Sequence, residues 1–245
     1  MQPALALGQA VHEVLEALSQ LPTKERFITP LSESFEVAWQ KVSGKKGGFF
    51  DKETEERYKQ RGFEMLKKVR LHPGPLARKA VKIKVDLPHY WLSSKDNIIL
   101  CGKIDWLEYL ESDDSVHILD FKTGKKREDK DSLQLPIYYL LVHNCQKRKV
   151  SGASYWYLQE KDEPEAVDLP DLEKAEEQVL AIAKQIKLAR QFEKFECREG
   201  KECWACKDLQ AIQRGEAEFV GVNDFKQDIY VLGKTAENLP ESEIL

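Results

Sequence analysis

The chain of 245 residues is 42% apolar with a net charge of −4, enough for one substantial core with a small appendage, and without global attraction to nucleic acid. It contains no run of about 18 apolar residues, so no membrane-spanning helix is expected, and Met1-Gln2-Pro3 lacks the basic start and apolar stretch of a signal peptide, which places the protein in the cytoplasm. Five cysteines, unevenly spaced, argue against a secreted disulfide framework and fit reduced thiols or a metal cluster.

The first predicted element is an amphipathic helix over 4–21, with Leu7, Val11, Val14, Leu15 and Leu18 on its apolar stripe and Pro22 at its end. His12 lies at the margin of that stripe, where a histidine is ordinarily a hydrogen-bonded core residue. Helices over 32–42 and 51–69 follow, joined by a glycine-lysine loop, Gly44 to Gly48, that lacks the pattern of a phosphate-binding loop. After the turn His72-Pro73-Gly74-Pro75, residues 80–87 alternate strictly, Val81, Ile83, Val85 and Leu87 against Lys82, Lys84 and Asp86, and read as the first strand of a sheet. Runs over 98–105 and 115–122 read as the next two strands. The polar cluster Glu111-Ser112-Asp113-Asp114 between them reads as a hairpin turn, which would make them antiparallel neighbours. A helix over 132–144 takes Ser132 as its N-cap and Pro136 in its first turn, and buries Leu133, Ile137, Leu140 and Leu141. Gln134 and Tyr138 share another face of it at i and i+4. A strand over 153–159 and a long helix over 171–192 complete the regular part, the helix carrying Leu172, Ala175, Val179, Ile182, Ile186, Ala189 and Phe192 on one side. Residues 215–245 turn acidic, lose periodicity and read as an accessory tail.

The chemistry concentrates between Gly102 and Tyr138. Asp105 stands at the end of one strand-like run, and Asp120 and Lys122 at the end of the next, on one face with Phe121 on the other. Two carboxylates can hold a hard divalent cation, and a lysine two residues on can orient a water or neutralise phosphate charge. Asp-x-Lys at a strand end is common, so the surroundings decide. Gly102-x-x-Asp105, Asp120-Phe121-Lys122-Thr123-Gly124 and Gln134-x-x-x-Tyr138, preceded by Gly8-x-x-x-His12, stand in the order and spacing of four motifs. Together they resemble the RecB/AddB-like branch of the PD-(D/E)XK nuclease superfamily, to which the CRISPR-adaptation exonucleases are similar.

The resemblance covers residues 5–158 and implies an α/β fold, a restriction-endonuclease-like core with a central mixed sheet flanked by helices. Residues 1–195 would form the nuclease domain, helical over 1–75 and carrying the catalytic sheet and helices over 76–195, followed by a cysteine segment over 196–214 and the acidic tail over 215–245. It implies catalysis by Asp105, Asp120 and Lys122, with Mg²⁺ or Mn²⁺ held by His12, Asp105, Asp120 and the carbonyl of Phe121. Gln134 and Tyr138 would settle the substrate strand. Lys125 and Lys126, directly after the site, are the basic residues that the sequence places where a phosphate backbone must pass. Relatives often carry a glutamate near the first strand, and the stretch over 80–87 offers only lysines and Asp86, which leaves the ligand set incomplete. They usually also carry a helical segment before the histidine helix, so the chain reads as truncated or divergent there.

Cys197, Cys203 and Cys206 form a C-x5-C-x2-C cluster, and two thiolates on a tight turn can grip zinc or part of an iron-sulfur cluster. Relatives add a cysteine ahead of the histidine helix and have three after the last helix. Here no cysteine precedes His12 and none follows Cys206, so three thiolates stand one short of a closed site, and both a bound metal and reduced structural cysteines remain open. The expected activity is metal-dependent DNA hydrolysis, exonucleolytic on single strands or DNA ends, in repair, recombination or CRISPR adaptation, with a helicase or integrase as partner and no membrane. The alternatives are a nucleic-acid-binding or scaffolding subunit of the same fold and, more remotely, a metal-sensing or redox module built on the cysteines.

Overall fold

The computed structural model describes residues 1–85, 87–129, 131–195, 204–223 and 226–233. Helix α1, Pro3–Ala17, begins on a proline in the first turn, where the missing N–H leaves no bond unmade. It buries Leu7, Val11, Val14 and Leu15 as its 3.6-residue period requires, and Leu18 follows in a single 3₁₀ turn. Helices α2, Leu31–Val42, and α3, Lys52–Leu71, pack against it; Asp51 caps α3 by accepting the Thr54 N–H at 2.7 Å. The glycine-lysine loop is a short 3₁₀ turn, Gly44–Gly47.

A hairpin of β1, His89–Ser93, and β2, Ile98–Cys101, precedes the main sheet. That sheet has four strands, β3 Trp106–Leu110, β4 Ser115–Lys122, β5 Lys149–Tyr157 and β6 Glu165–Val167, hydrogen-bonded in sequence order. The pairing is mixed: β3 and β4 antiparallel, β4 and β5 parallel, β5 and β6 antiparallel. The parallel pair needs a crossover, which helix α4, Gln134–Cys145, supplies. Alternation along the strands then divides the core. Trp106, Leu119, Phe121, Trp156 and Leu158 pack with the helical layer of α1, α2 and α3. Leu107, Val116, Ile118 and Ala153 pack beneath Leu135, Tyr138 and Val142 on the α4 side. Leu92 and Leu140 join Ala175 and Val179 of helix α5, Leu172–Gln191. Among the described residues no helix is long and apolar enough to cross a membrane.

Four sequence expectations are corrected. The run over 80–87 makes one bridge, Ala80 to Glu108, flanked by Val81 N–H to Leu107 O at 2.9 Å and Tyr109 N–H to Lys79 O at 2.8 Å. That register sets Lys82 opposite Trp106, the first residue of β3, so the chain beyond runs off the end of its partner, leaving Val85 and Leu87 exposed. The run over 98–105 is broken at Gly102, where an added Cβ would meet Leu141 Cδ1 at 2.8 Å. Its first half pairs with β1, and the antiparallel partner of β4 is β3, so Asp105 precedes a strand and does not end one. On α5 only Ala175 and Val179 of the expected stripe are buried, while Ile186 and Phe192 stand exposed where the helix outruns the core. Within the segment read as an acidic tail, β7, Ala217–Val222, and β8, Asp228–Leu232, form an antiparallel hairpin after helix α6, Trp204–Gln213. The terminal ammonium of Met1 donates to Tyr230 O at 2.6 Å and Gln2 Nε2 to Asp208 at 2.9 Å, which tie this unit to the start of α1.

Gly62 of α3 lies against Phe35 of α2, and an added Cβ would fall 2.2 Å from Cζ of that ring. Gly62→Ala is expected to lower stability by about 1–3 kcal/mol through overpacking, although alanine favours the helix by about 1 kcal/mol. A urea midpoint unchanged or raised by the substitution would show that α2 and α3 part easily.

Candidate active site

The site gathers at the carboxyl end of β4, where α1 crosses the sheet. Gly8 allows the crossing: a Cβ there would meet Thr123 Oγ1 at 3.2 Å, tight enough that one must give way. One turn on, the His12 ring stands edge-on to Phe121 with centroids 6.0 Å apart, and its Nδ1 lies 3.4 Å from Asp105 Oδ1. Asp105 spends its other oxygen on the backbone: Oδ2 accepts the Phe121 N–H at 2.9 Å. That bond fixes the segment ahead of β3 to the end of β4, and so brings carboxylates from positions 105 and 120 together.

Asp120 and Lys122 point to the opposite face from Phe121, as alternation requires, and face α4. Gln134, in the first turn of α4, reaches both: its Nε2 donates to Asp120 Oδ1 at 3.0 Å and its Oε1 accepts from Lys122 Nζ at 2.5 Å. The same Nε2 donates to the Tyr138 hydroxyl at 3.1 Å. Lys122 Nζ also contacts Asp120 Oδ2 at 2.8 Å and Glu128 at 2.7 Å, and lies 5.0 Å from the centroid of the Tyr155 ring. The ammonium is therefore held from four sides.

Negative charge is concentrated in little solvent. Asp105 and Asp120 are 8% and 3% exposed. Burial, then the Asp105 charge, push the Asp120 carboxyl up to about 7 against the opposing pull of Lys122 and His12. Burial alone would lower the His12 imidazole, but the Asp105 and Glu16 carboxylates more than offset this and push it up to about 10. Burial raises the Tyr138 phenol, with Asp105 and Asp120 adding to it. Burial would also lower Lys122, and Asp120 and Glu128 raise it instead. The donor set, carboxylate oxygens and an imidazole, suits a hard divalent cation. Asp120 Oδ2 supports the fit: it is buried and makes no hydrogen bond, the Lys122 ammonium lying near it without the angle of one.

The structure thus brings together His12, Asp105, Asp120, Phe121, Lys122, Gln134 and Tyr138. Gln134 is engaged with Asp120 and Lys122 and does not stand open to a strand. Lys125 and Lys126 are exposed on the loop after β4. Cys197 and Cys203 lie outside the described residues, and Cys206, half-buried on α6, is a free thiol, as are Cys101 and Cys145. Two residues of the site were not anticipated. Glu16 lies four residues from His12 on one helix, a spacing that brings side chains together and could have drawn attention; its Oε1 is 3.7 Å from His12 Nδ1. Glu128 sits in an irregular loop, where no periodicity could have aimed it at Lys122.

Comparison with curated proteins and comparison with solved structures return no match. The model of the PD-(D/E)XK nuclease superfamily matches residues 1–208, which take in α1, the mixed sheet with its flanking helices, and every residue of the site. The mixed sheet between helical layers is the restriction-endonuclease-like arrangement expected of such a match. On this evidence the chain belongs to the PD-(D/E)XK nuclease superfamily.

Proposed function

We propose that this nuclease is a Mg²⁺- or Mn²⁺-dependent DNA exonuclease of the RecB/AddB-like branch, acting on single strands or DNA ends. One observation carries the reading: an imidazole, two buried carboxylates and a lysine from three separate chain segments meet at the end of β4. Asp105, Asp120, His12 and the Phe121 carbonyl would hold the cation, which when bound acts as a Lewis acid, making its water a nucleophile near neutral pH and offsetting phosphate charge. Lys122 is the group that orients the attacking water, and its ties to Asp120, Glu128 and Gln134 spare the reaction the cost of ordering it. Gln134 acts as a positioning residue, since it holds the acid and the ammonium in one grip. Tyr138, kept protonated, offers a hydroxyl to the substrate phosphate.

The preference for single strands or DNA ends is supported by the motif resemblance to the RecB/AddB-like branch. Lys125 and Lys126, exposed on the next loop, suit contact with the phosphates on the way in. The reading extends to a cytoplasmic enzyme of repair, recombination or CRISPR adaptation, fed by a helicase or an integrase. An iron-sulfur cluster or zinc at Cys197, Cys203 and Cys206 belongs to it as well, supported by the cysteine spacing. The net charge of −4 favours one alternative, a scaffolding subunit that binds without cutting.

Three outcomes are expected. Asp120→Ala and Lys122→Ala each lower cleavage of labelled single-stranded DNA by at least ~100-fold in assays run with Mg²⁺, Mn²⁺ and EDTA. Full activity in both variants removes the site from consideration, and DNA bound but uncut by the wild type selects the scaffold. Lys125→Ala with Lys126→Ala weakens DNA binding and flattens its dependence on log salt by about one unit or more, with little change in turnover at saturating DNA.

The third outcome concerns pH. Ligands must shed protons to bind metal, so Mn²⁺ affinity rises with pH through 7, and titration in buffers of different ionisation enthalpy shows proton release. In the cation-free protein the Asp120 carboxyl is raised from 3.8 to about 7. The unfolded chain therefore ionises first, and the stability cost builds between those values at about 1.4 kcal/mol per unit. His12, raised from 6.5 to about 10, contributes stability that is full below 6.5 and lost as pH climbs toward 10. Asp120→Asn should thus raise the melting temperature in EDTA at pH 8, change it little near pH 4, and abolish stabilisation by Mn²⁺. An equal effect at both pH values would show that the carboxyl is not strained by burial.

A further inference from the structure

Glu16 has no part in the site as the motifs define it, yet it belongs to the tightest group of metal-binding side chains among the described residues. One ligand atom from each of His12, Glu16 and Asp105 lies within 4.8 Å of the others. His12 Nδ1 is 3.4 Å from Asp105 Oδ1 and 3.7 Å from Glu16 Oε1. Ligands at ~2.1 Å from one octahedral ion stand about 3.0 Å apart when adjacent and about 4.2 Å apart when opposite. Both measured separations fall between these limits. Asp120 does not join the group at this distance.

The spent oxygens sharpen the point. Asp105 Oδ2 is taken by the Phe121 N–H and Asp120 Oδ1 by Gln134, which leaves Asp105 Oδ1 facing His12 and Asp120 Oδ2 facing Lys122. A hard cation that seeks six ligands then has room for a further carboxylate beside its waters. Asp120 Oδ2 is buried and makes no hydrogen bond, with the Lys122 ammonium 2.8 Å away. Access exists on the Glu16 side, where a cleft of about 150 Å³ is lined by Glu16, Gln20, Lys82, Lys103 and Asp105. At ~30 Å³ each it has room for a few waters, which Mg²⁺ tends to keep.

We propose that Glu16 is a protein ligand of the active-site cation, completing its shell from the helix that carries His12. Lys103 is the resident counter-charge: its ammonium pairs with Glu16 Oε2, while Oε1 faces His12. Lys103 is 64% exposed at its side chain, so the pair can open to solvent when the ion enters. The ion thus displaces a solvent-facing pairing.

This inference rests on the nuclease reading only for the identity of the ion, and its test is separable from that reading. Full-length protein freed of metal with EDTA is titrated with MnCl₂ by calorimetry and followed by thermal unfolding. Glu16→Gln should weaken Mn²⁺ at least ~10-fold and shrink the Mn²⁺-induced rise in melting temperature. Lys103→Met, which removes the competing ammonium, should tighten Mn²⁺ binding and enlarge that rise. Wild-type affinity in Glu16→Gln overturns the proposal. Should that variant not fold, unchanged affinity in Lys103→Met overturns it. A wild type that binds Mn²⁺ through Glu16 but cuts no DNA sinks the nuclease reading and leaves the ligand standing; a wild type that cuts while Glu16→Gln binds normally does the reverse.

Discussion

Two carboxylates held almost out of water at the end of one strand repel each other, and the surrounding structure can be understood as what keeps them there. The hydrogen bond from the Phe121 N–H to Asp105 holds the first acid against the strand that bears the second. Gln134 and Lys122 hold the second from the α4 side, and His12 faces the first from α1. Each of these contacts stabilises ionised carboxylate in a place where burial disfavours it. Burial, with the Asp105 charge added, raises the Asp120 carboxyl, while the Asp105 and Glu16 carboxylates raise His12 against burial. Such crowding of charge is expensive for the fold, and a divalent cation is the kind of partner that would relieve it.

The architecture serves this arrangement by layering. The faces of β4 belong to different cores: Leu119 and Phe121 are buried under the helical layer, and Val116 and Ile118 under α4. Alternation carries that division to the strand's end, where Asp120 and Lys122 continue the α4 face and Phe121 the other. The acids are thus reached from one side by α4 residues and from the other by α1, which Gly8 lets pass close to Thr123. The hairpin of β1 and β2 rests on α4 and α5, which sets the path by which the chain arrives at Asp105. The C-terminal unit makes hydrogen bonds to Met1 and Gln2, at the start of the helix that carries His12 and Glu16.

Much of this was legible in the residues. The stripe of α1, the lengths of α2, α3, α4 and α5, the strand of Asp120 and Lys122, and its hairpin turn follow from local periodicity and from residues with one conformational preference, although α4 starts at Gln134 with Leu133, not Ser132, at its N-cap. The four spaced motifs located His12, Asp105, Asp120, Lys122, Gln134 and Tyr138, and these do converge. What was misread has a common cause. Residues 80–87 alternate as a strand should, but a strand is a pairing, and β3 ends before its partner does. Asp105 was assigned to a strand end, because nothing local shows that Gly102 must pass beneath Leu141. Ile186 and Phe192 lie on the apolar side of α5, yet periodicity cannot say how far the core beneath a helix extends.

The sequence by itself determined which side chains are the candidates for the chemistry and, on α1, β4 and α4, which face of the element they occupy, since both depend on residue identity and on the repeat of a helix or strand. Tertiary structure decided how those groups are used. It set Asp105 on the Phe121 backbone, turned Gln134 into a brace for Asp120 and Lys122, brought Glu128 from an irregular loop onto Lys122, and set Glu16 beside His12 and Asp105. These are contacts between segments distant along the chain or between side chains whose rotamers packing selects. No local preference encodes them, because their free energy exists only once the layers have closed around them.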